Sequence, residues 1–143
     1  MNYFEQELKK VIAQSDVAGG ASYVGRACFV SPAPDLRAKL EFVTLGYADH
    51  YEALRLTILN RRDGPVDSIT IRFSDLFGKK QVSNPNFSGG IVPYIWTSQG
   101  KHDWYVYKPN LGDYRQLAGA VDEYLQVYQA QNMTEAPGMR MQQ

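Results

Sequence analysis

Two runs of residues that alternate apolar with mostly polar, separated by Asp63-Gly64, restrict this chain more than any other feature. Leu54, Leu56 and Ile58 alternate with Arg55, Thr57 and Leu59, and beyond the turn Ile69, Ile71 and Phe73 alternate with Thr70, Arg72 and Ser74. Successive residues of a strand point to opposite faces, so each run makes a strand with one apolar face, and the Asp-Gly pair supplies the turn of a hairpin. The stretch from Leu40 to Phe77 is therefore the scaffold against which the rest must pack. If the apolar residues share a face, a loop of about four residues, Arg62 to Pro65, sets Ile58 opposite Ile69, Leu56 opposite Ile71 and Arg55 opposite Arg72. Two guanidinium groups so placed repel unless a carboxylate or a bound anion lies between them. Glu41 or Glu52 could supply that carboxylate from within the sheet.

The flanking segments predict what covers the apolar face. Asn2 and Glu5 have the spacing of a capping box, and Phe4, Leu8, Val11 and Ile12 recur at helical spacing until Gly19-Gly20. Ala21 to Val30 reads as a strand with Gly25 as a candidate bulge, ended by Ser31-Pro32-Ala33-Pro34-Asp35 because proline cannot donate to a ladder. Strands follow from Leu36 to Leu45 and from Glu52 to Asn60. Ser74 to Gly90 is rich in turn residues and is expected as a long connection over an edge of the sheet. A second hairpin is expected from Ile91–Thr97 and His102–Lys108, with Tyr94 opposite Tyr105. At the end, Asn110 is a candidate N-cap, Asp113 lies in the first turn, and Tyr114, Leu117, Val121, Tyr124, Leu125 and Tyr128 form one helical stripe. The predicted fold is α+β, an antiparallel sheet of about five to six strands flanked by an N-terminal and a C-terminal helix. Residues 1–130 form a single domain in this reading, and residues 131–143 form a flexible C-terminal tail.

Charge and chemistry narrow the function less. Lysine plus arginine and aspartate plus glutamate balance at 15 each, so no long-range field draws the chain to nucleic acid. The single cysteine, Cys28, can form no internal disulfide, no secretion signal is visible, and no apolar run approaches the length needed to cross a bilayer. A cytoplasmic location without membrane contact is expected. A cysteine nucleophile would need Cys28 near His50 or His102 with Asp49 or Asp103 as orienter, yet Cys28 sits in an apolar strand where free cysteines behave as small hydrophobes. His50 with Asp49 and Glu52, or His102 with Asp103, lacks the repeated spacing of a zinc motif, and neither Gly19-Gly20 nor Gly89-Gly90 makes a phosphate loop. No cofactor or metal is expected, and nothing in the sequence assigns an enzymatic activity.

What remains is a surplus of aromatic and cationic side chains. In the second hairpin Tyr94, Trp96, Tyr105 and Tyr107 share one side while Ile95, Trp104 and Val106 share the other, so one side is either core or a contact surface. The candidate protein-binding residues are therefore Tyr94, Trp96, Tyr105 and Tyr107, with Arg55 and Arg72 as a spot for an anionic group. The alternative is a nucleic-acid interface in which Arg61, Arg62, Lys79 and Lys80 hold phosphates and exposed aromatic rings stack on bases. No oligomeric state is indicated.

The segments Val43-Thr44-Leu45-Gly46-Tyr47-Ala48-Asp49-His50-Tyr51-Glu52-Ala53-Leu54, Asn60-Arg61, Arg72-Phe73-Ser74-Asp75, Asn84-Pro85-Asn86-Phe87 and Pro93-Tyr94-Ile95-Trp96 together resemble an uncharacterised family of small bacterial proteins carried on conjugative and other mobile elements. The resemblance covers roughly residues 1–130 and assigns no residue a role. It implies a setting in which accessory proteins bind and inhibit host defence machinery, CRISPR nucleases included, or assist maintenance of the element.

Overall fold

The computed structural model describes residues 3–18, 20–44, 50–84, 87–97 and 106–135. The chain runs α1 (Tyr3–Ala13), β1 (Ser22–Val24), β2 (Ala27–Ala33), β3 (Leu36–Thr44), β4 (His50–Leu59), β5 (Pro65–Arg72), α2 (Phe73–Phe77), β6 (Lys79–Asn84), β7 (Phe87–Pro93), β8 (Ile95–Thr97), β9 (Val106–Tyr107) and α3 (Leu111–Glu135). The main sheet has seven strands in the order β1-β2-β3-β4-β8-β9, with β5 also paired to β4. β5 and β8 share the same side of β4 end to end, since β5 pairs residues 53–59 and β8 pairs His50 and Tyr51. All pairs are antiparallel except β8 with β9. The α+β fold with terminal helices follows from the alternation and the helical stripes.

One face of this sheet makes the core. Cys28, Val30, Ala38, Leu40, Phe42, Leu54, Leu56 and Ile58 are buried with Phe4, Leu8 and Val11 of α1 and Leu117, Ala118, Val121 and Leu125 of α3. The N-terminus of α3 closes as a capping box, Asp113 N–H donating to Asn110 Oδ1 at 2.9 Å and Asn110 N–H to Asp113 Oδ2 at 3.0 Å. The helix then runs to Glu135, so residues 131–135, expected as tail, continue it. Residues 136–143 lie outside the described residues.

The β4–β5 register differs from the expected one by two residues. Leu54 lies opposite Ile71, Leu56 opposite Ile69 and Arg55 opposite Thr70. The loop is longer than the four residues assumed, because Asn60 organises it. Its N–H donates to Gly64 O, and its Oδ1 accepts from the N–H of Arg62 and of Gly64, each at 2.9 Å. Asp63 takes a positive φ of 59°, a conformation that short polar side chains tolerate. Parity survives the shift, so the same faces are shared. Ile69 does not reach the core as expected: it stands at the edge and is 38% exposed. Phe73 does, as the first residue of α2 and fully buried.

Four further expectations are corrected. Gly25, with φ 59°, is the first residue of a two-residue turn between Val24 and Ala27, the glycine-first pattern of a type II′ hairpin. β2 continues through Pro32 to Ala33, because its register shifts between Val30 and Ala33 and relieves the missing donor. The segment expected as one long connection holds α2, β6 and β7. β6 and β7 form their own two-stranded sheet closing at Asn84 opposite Phe87, so β7 does not hairpin with β9. Instead β9 lies parallel to β8, Trp96 opposite Tyr107. No helix among the described residues is long and apolar enough to cross a membrane.

Candidate binding surface on the open face of the sheet

The face of the sheet turned away from α1 and α3 is built by ladder rows. Ala27, Glu41, Arg55 and Thr70 lie side by side across four strands, and Phe29, Lys39, Thr57 and Ser68 make the next row. Arg55, Ser68 and Thr70 are exposed, and Lys39 and Glu41 are half-buried. Lys39 Nζ lies 3.8 Å from Glu41 Oε2. At the same end as the α1 N-terminus the register of β3 and β4 shifts, Val43 opposite Ala53 but Thr44 opposite Tyr51, which leaves Glu52 as the extra residue of a bulge. The bulge has two consequences. It turns Tyr51 into the core, where its ring stacks on Phe42 at 4.6 Å, and it brings Glu52 beside Arg72, Nη1 to Oε1 3.6 Å.

Arg55 and Arg72 are therefore neighbours on this face, but diagonally. Ala53 is the residue opposite Arg72, and Arg55 lies opposite Glu41 on one side and Thr70 on the other. The like-charge conflict expected from direct opposition does not arise, and both carboxylates named as its remedy flank the pair. Exposed ion pairs of this kind add little stability, so the guanidinium groups remain available to a competing carboxylate.

The aromatic candidates go elsewhere. Tyr94 is 3% exposed and Trp96 0%. The Trp96 ring stacks on Phe73 at 4.9 Å and meets Tyr114 edge-on at 5.0 Å, and its Nε1–H donates to Glu7 Oε1 at 2.8 Å. Tyr94 OH donates to Asp113 Oδ2 at 3.0 Å, and its ring stacks on the half-buried Tyr107 at 5.2 Å. These rings face the helices, so a partner cannot reach Tyr94 or Trp96 in this fold. Tyr105 lies outside the described residues.

Nor do the cations of the alternative form one surface. Arg61 and Arg62 are exposed at the β4–β5 tip, while Lys79 is exposed beyond the other end of β5. Eight residues of strand separate those ends by about 27 Å. The side chain of Lys80 lies outside the described residues. A cleft of about 440 Å³ at the tip is lined by Asp35, Leu36, Asn60, Arg61 and Arg62, but Arg61 Nε already meets Asp35 Oδ1 at 2.7 Å, and Arg37 Nη2 meets Asp63 Oδ1 at 2.9 Å.

Cys28 is fully buried opposite Leu40, and burial pushes its thiol up to about 12. Leu40 pairs with Leu56, and His50 lies six residues further along β4, about 20 Å away along the strand, so the two do not meet. His102, Asp49 and Asp103 lie outside the described residues, and among the described residues no three His, Cys, Asp or Glu side chains cluster as metal ligands. A thiol reagent at neutral pH is expected to leave Cys28 unlabelled in the native protein and to label it fully in denaturant. Rapid native labelling would contradict its burial.

Three carboxylates escaped sequence reasoning. Glu7, 1% exposed, accepts from Trp96, from Tyr114 OH at 2.9 Å and from Lys10 Nζ at 3.1 Å. Asp122, 8% exposed, accepts from Ser15 OH and from the N–H of Asp16 and Val17. Asp67 of β5 accepts from Tyr128 OH and Tyr124 OH, and those hydroxyls hold its carboxyl below the usual range. The signal for the first two was a charge inside an apolar stripe, Glu7 between Phe4, Leu8 and Val11, and Asp122 beside Val121 and Leu125.

The same packing acts on the phenols. Burial first, and then the carboxylate each one touches, raises Tyr94 (Asp113) and Tyr114 (Glu7) far above the ordinary 10.0. A folded-state value above the unfolded one means stability that is complete below pH 10 and is lost as the pH rises past it. Unfolding monitored by phenolate absorbance is therefore expected to become cooperative above that pH, with Tyr94 and Tyr114 ionising only as the fold opens. Independent titration of every tyrosine near pH 10 in the native fold would contradict this.

Compared with models of known families, with curated proteins and with solved structures, the chain matches none.

Proposed function

We propose that this chain is a non-enzymatic protein-binding accessory protein, and that it docks an acidic segment of its partner on the open sheet face around Arg55 and Arg72. The observation that carries this is the placement of two exposed guanidinium groups as diagonal neighbours on a broad face that no helix among the described residues covers. Their own carboxylate neighbours, Glu41 and Glu52, are half-buried at the surface, where a bidentate carboxylate from a partner exchanges for them at small cost. The small Ala53 and the hydroxyls of Thr57, Ser68 and Thr70 lie beside the arginines and leave the surface flat enough for a protein. In the setting that the resemblance implies, a protein of a mobile element, the partner would belong to host defence, a CRISPR nuclease being one such target. Nucleic-acid binding is disfavoured by the neutral net charge and by the separation of Arg61 and Arg62 from Lys79.

The test is affinity capture from bacterial lysate with the wild type, with the double variant Arg55→Glu/Arg72→Glu, and with Arg115→Glu, which reverses an exposed charge on α3. The double variant is expected to lose the captured partner by at least about tenfold while its unfolding midpoint falls only slightly, because the new like-charge neighbours Glu41 and Glu52 are at the surface, and Arg115→Glu to retain the partner. Undiminished capture by the double variant overturns the proposal.

A further inference from the structure

Among the described residues the main sheet has one long uncovered edge. β1 has three residues and β9 two, whereas β5 has eight and, among the described residues, pairs only on its β4 side. The outer side of β2 beyond β1 carries Pro32 and the register shift, both of which spoil an edge for pairing. β5 has such guards only at its start, Pro65 and the extra residue Val66 where the register shifts. From there Ser68, Ile69, Thr70 and Ile71 form a β-prone run without lysine or proline. Asp67 would serve as a guard charge, but its carboxylate is drawn back onto α3 by Tyr124 and Tyr128. Val66 is 54% and Ile69 38% exposed. Outward backbone groups beside exposed β-branched side chains are a template for another strand.

We infer that β5 pairs antiparallel with β5 of a second copy across a two-fold axis perpendicular to the sheet. Such an axis keeps each side chain on its own face, and the register centred on Ile69 pairs the whole of Val66 to Arg72. Ile69 then faces its own copy, Asp67 faces Ile71, Ser68 faces Thr70 and Val66 faces Arg72, with no like charges opposed. Centring on Asp67 or on Arg72 instead would set identical charges face to face. Pairing β5 with the β1 edge of another copy would engage only three residues, so the symmetric arrangement wins on length.

Sedimentation tests the state, and cross-linking tests the register. The wild type at about 100 μM is expected to sediment at twice the 16.2 kDa of the chain, and Ile69→Lys, which brings two ammonium groups to the axis, to shift it at least about tenfold toward monomer. Under mild oxidation Ile69→Cys is expected to form a disulfide-linked dimer. Val66→Cys is expected to form none, because its counterpart lies six residues, about 20 Å, along the strand. Buried Cys28 does not compete. A wild type that stays monomeric overturns the inference, as does a dimer in which Ile69→Cys fails to cross-link or Val66→Cys links equally well.

Discussion

Trp96→Ala is expected to lower stability by about 4 kcal/mol or more, enough to leave the chain largely unfolded if it has ordinary domain stability. The indole is fully buried, with Phe42, Phe73, Phe77 and Tyr114 within 6.1 Å of its centroid. Removing it leaves a void that these rings cannot close together, and it deprives Glu7 of a donor in a site with no room for bulk water. Trp96→Phe keeps most of the volume and loses mainly the hydrogen bond, so a loss of about 1–2 kcal/mol is expected. Glu7→Ala strands two buried donors, the Trp96 N–H and the Tyr114 hydroxyl, and is expected to cost about 3 kcal/mol. Chemical denaturation measures all three. A Trp96 that served as a contact residue would behave in the opposite way, its alanine variant staying within about 0.5 kcal/mol of wild type and losing only binding.

Asp122→Ala is expected to cost about 2–4 kcal/mol and to act at a distance in sequence. Asp122 sits on α3, but its acceptor oxygens hold the turn that ends α1, through Ser15 OH, Asp16 N–H at 2.8 Å and Val17 N–H at 3.3 Å. Ser15 Oγ in turn accepts from Ala18 N–H at 2.8 Å. One carboxylate on α3 thus accepts from the N–H and O–H donors of the turn that follows α1. Asp122→Asn keeps one acceptor oxygen and is expected to cost about half as much. Hydrogen exchange gives the more specific readout. The amides of Asp16 and Val17 should lose protection in Asp122→Ala before those of β3 and β4 do. Uniform loss across the fold would mean that Asp122 matters to global packing and not to this junction.

These two groups also show what a sequence can and cannot carry. Alternation assigns faces correctly, because Leu54, Leu56 and Ile58 have only the helix-covered side on which to be buried. Asn110 as N-cap was legible because its partners are local, while the return bond from Asn110 N–H to Asp113 goes beyond the first-turn charge that the sequence shows there. Register was not, because it depends on how Asn60 organises the turn, and that choice slid the partners of Arg55 and Arg72 by two residues. The β8–β9 pairing was out of reach as well, because a parallel neighbour leaves no turn between its strands to read. Alternation in Tyr94–Trp96 could not distinguish core from contact surface. What decides it is Glu7, which is 89 residues from Trp96 and accepts its indole proton. Of the protein-binding candidates, Arg55 and Arg72 lie exposed on the open face, because that face is defined by the same parity that defines the core.

Binding through the open face is tested most directly by arginine-selective labelling of the chain alone and in complex with the partner it captures. Arg55 and Arg72 are expected to react in the free chain and to be protected in the complex, while Arg61, Arg62 and Arg115 remain reactive in both. Unchanged reactivity of Arg55 and Arg72, with protection appearing at Arg61 and Arg62, would contradict it and place the contact at the hairpin tip.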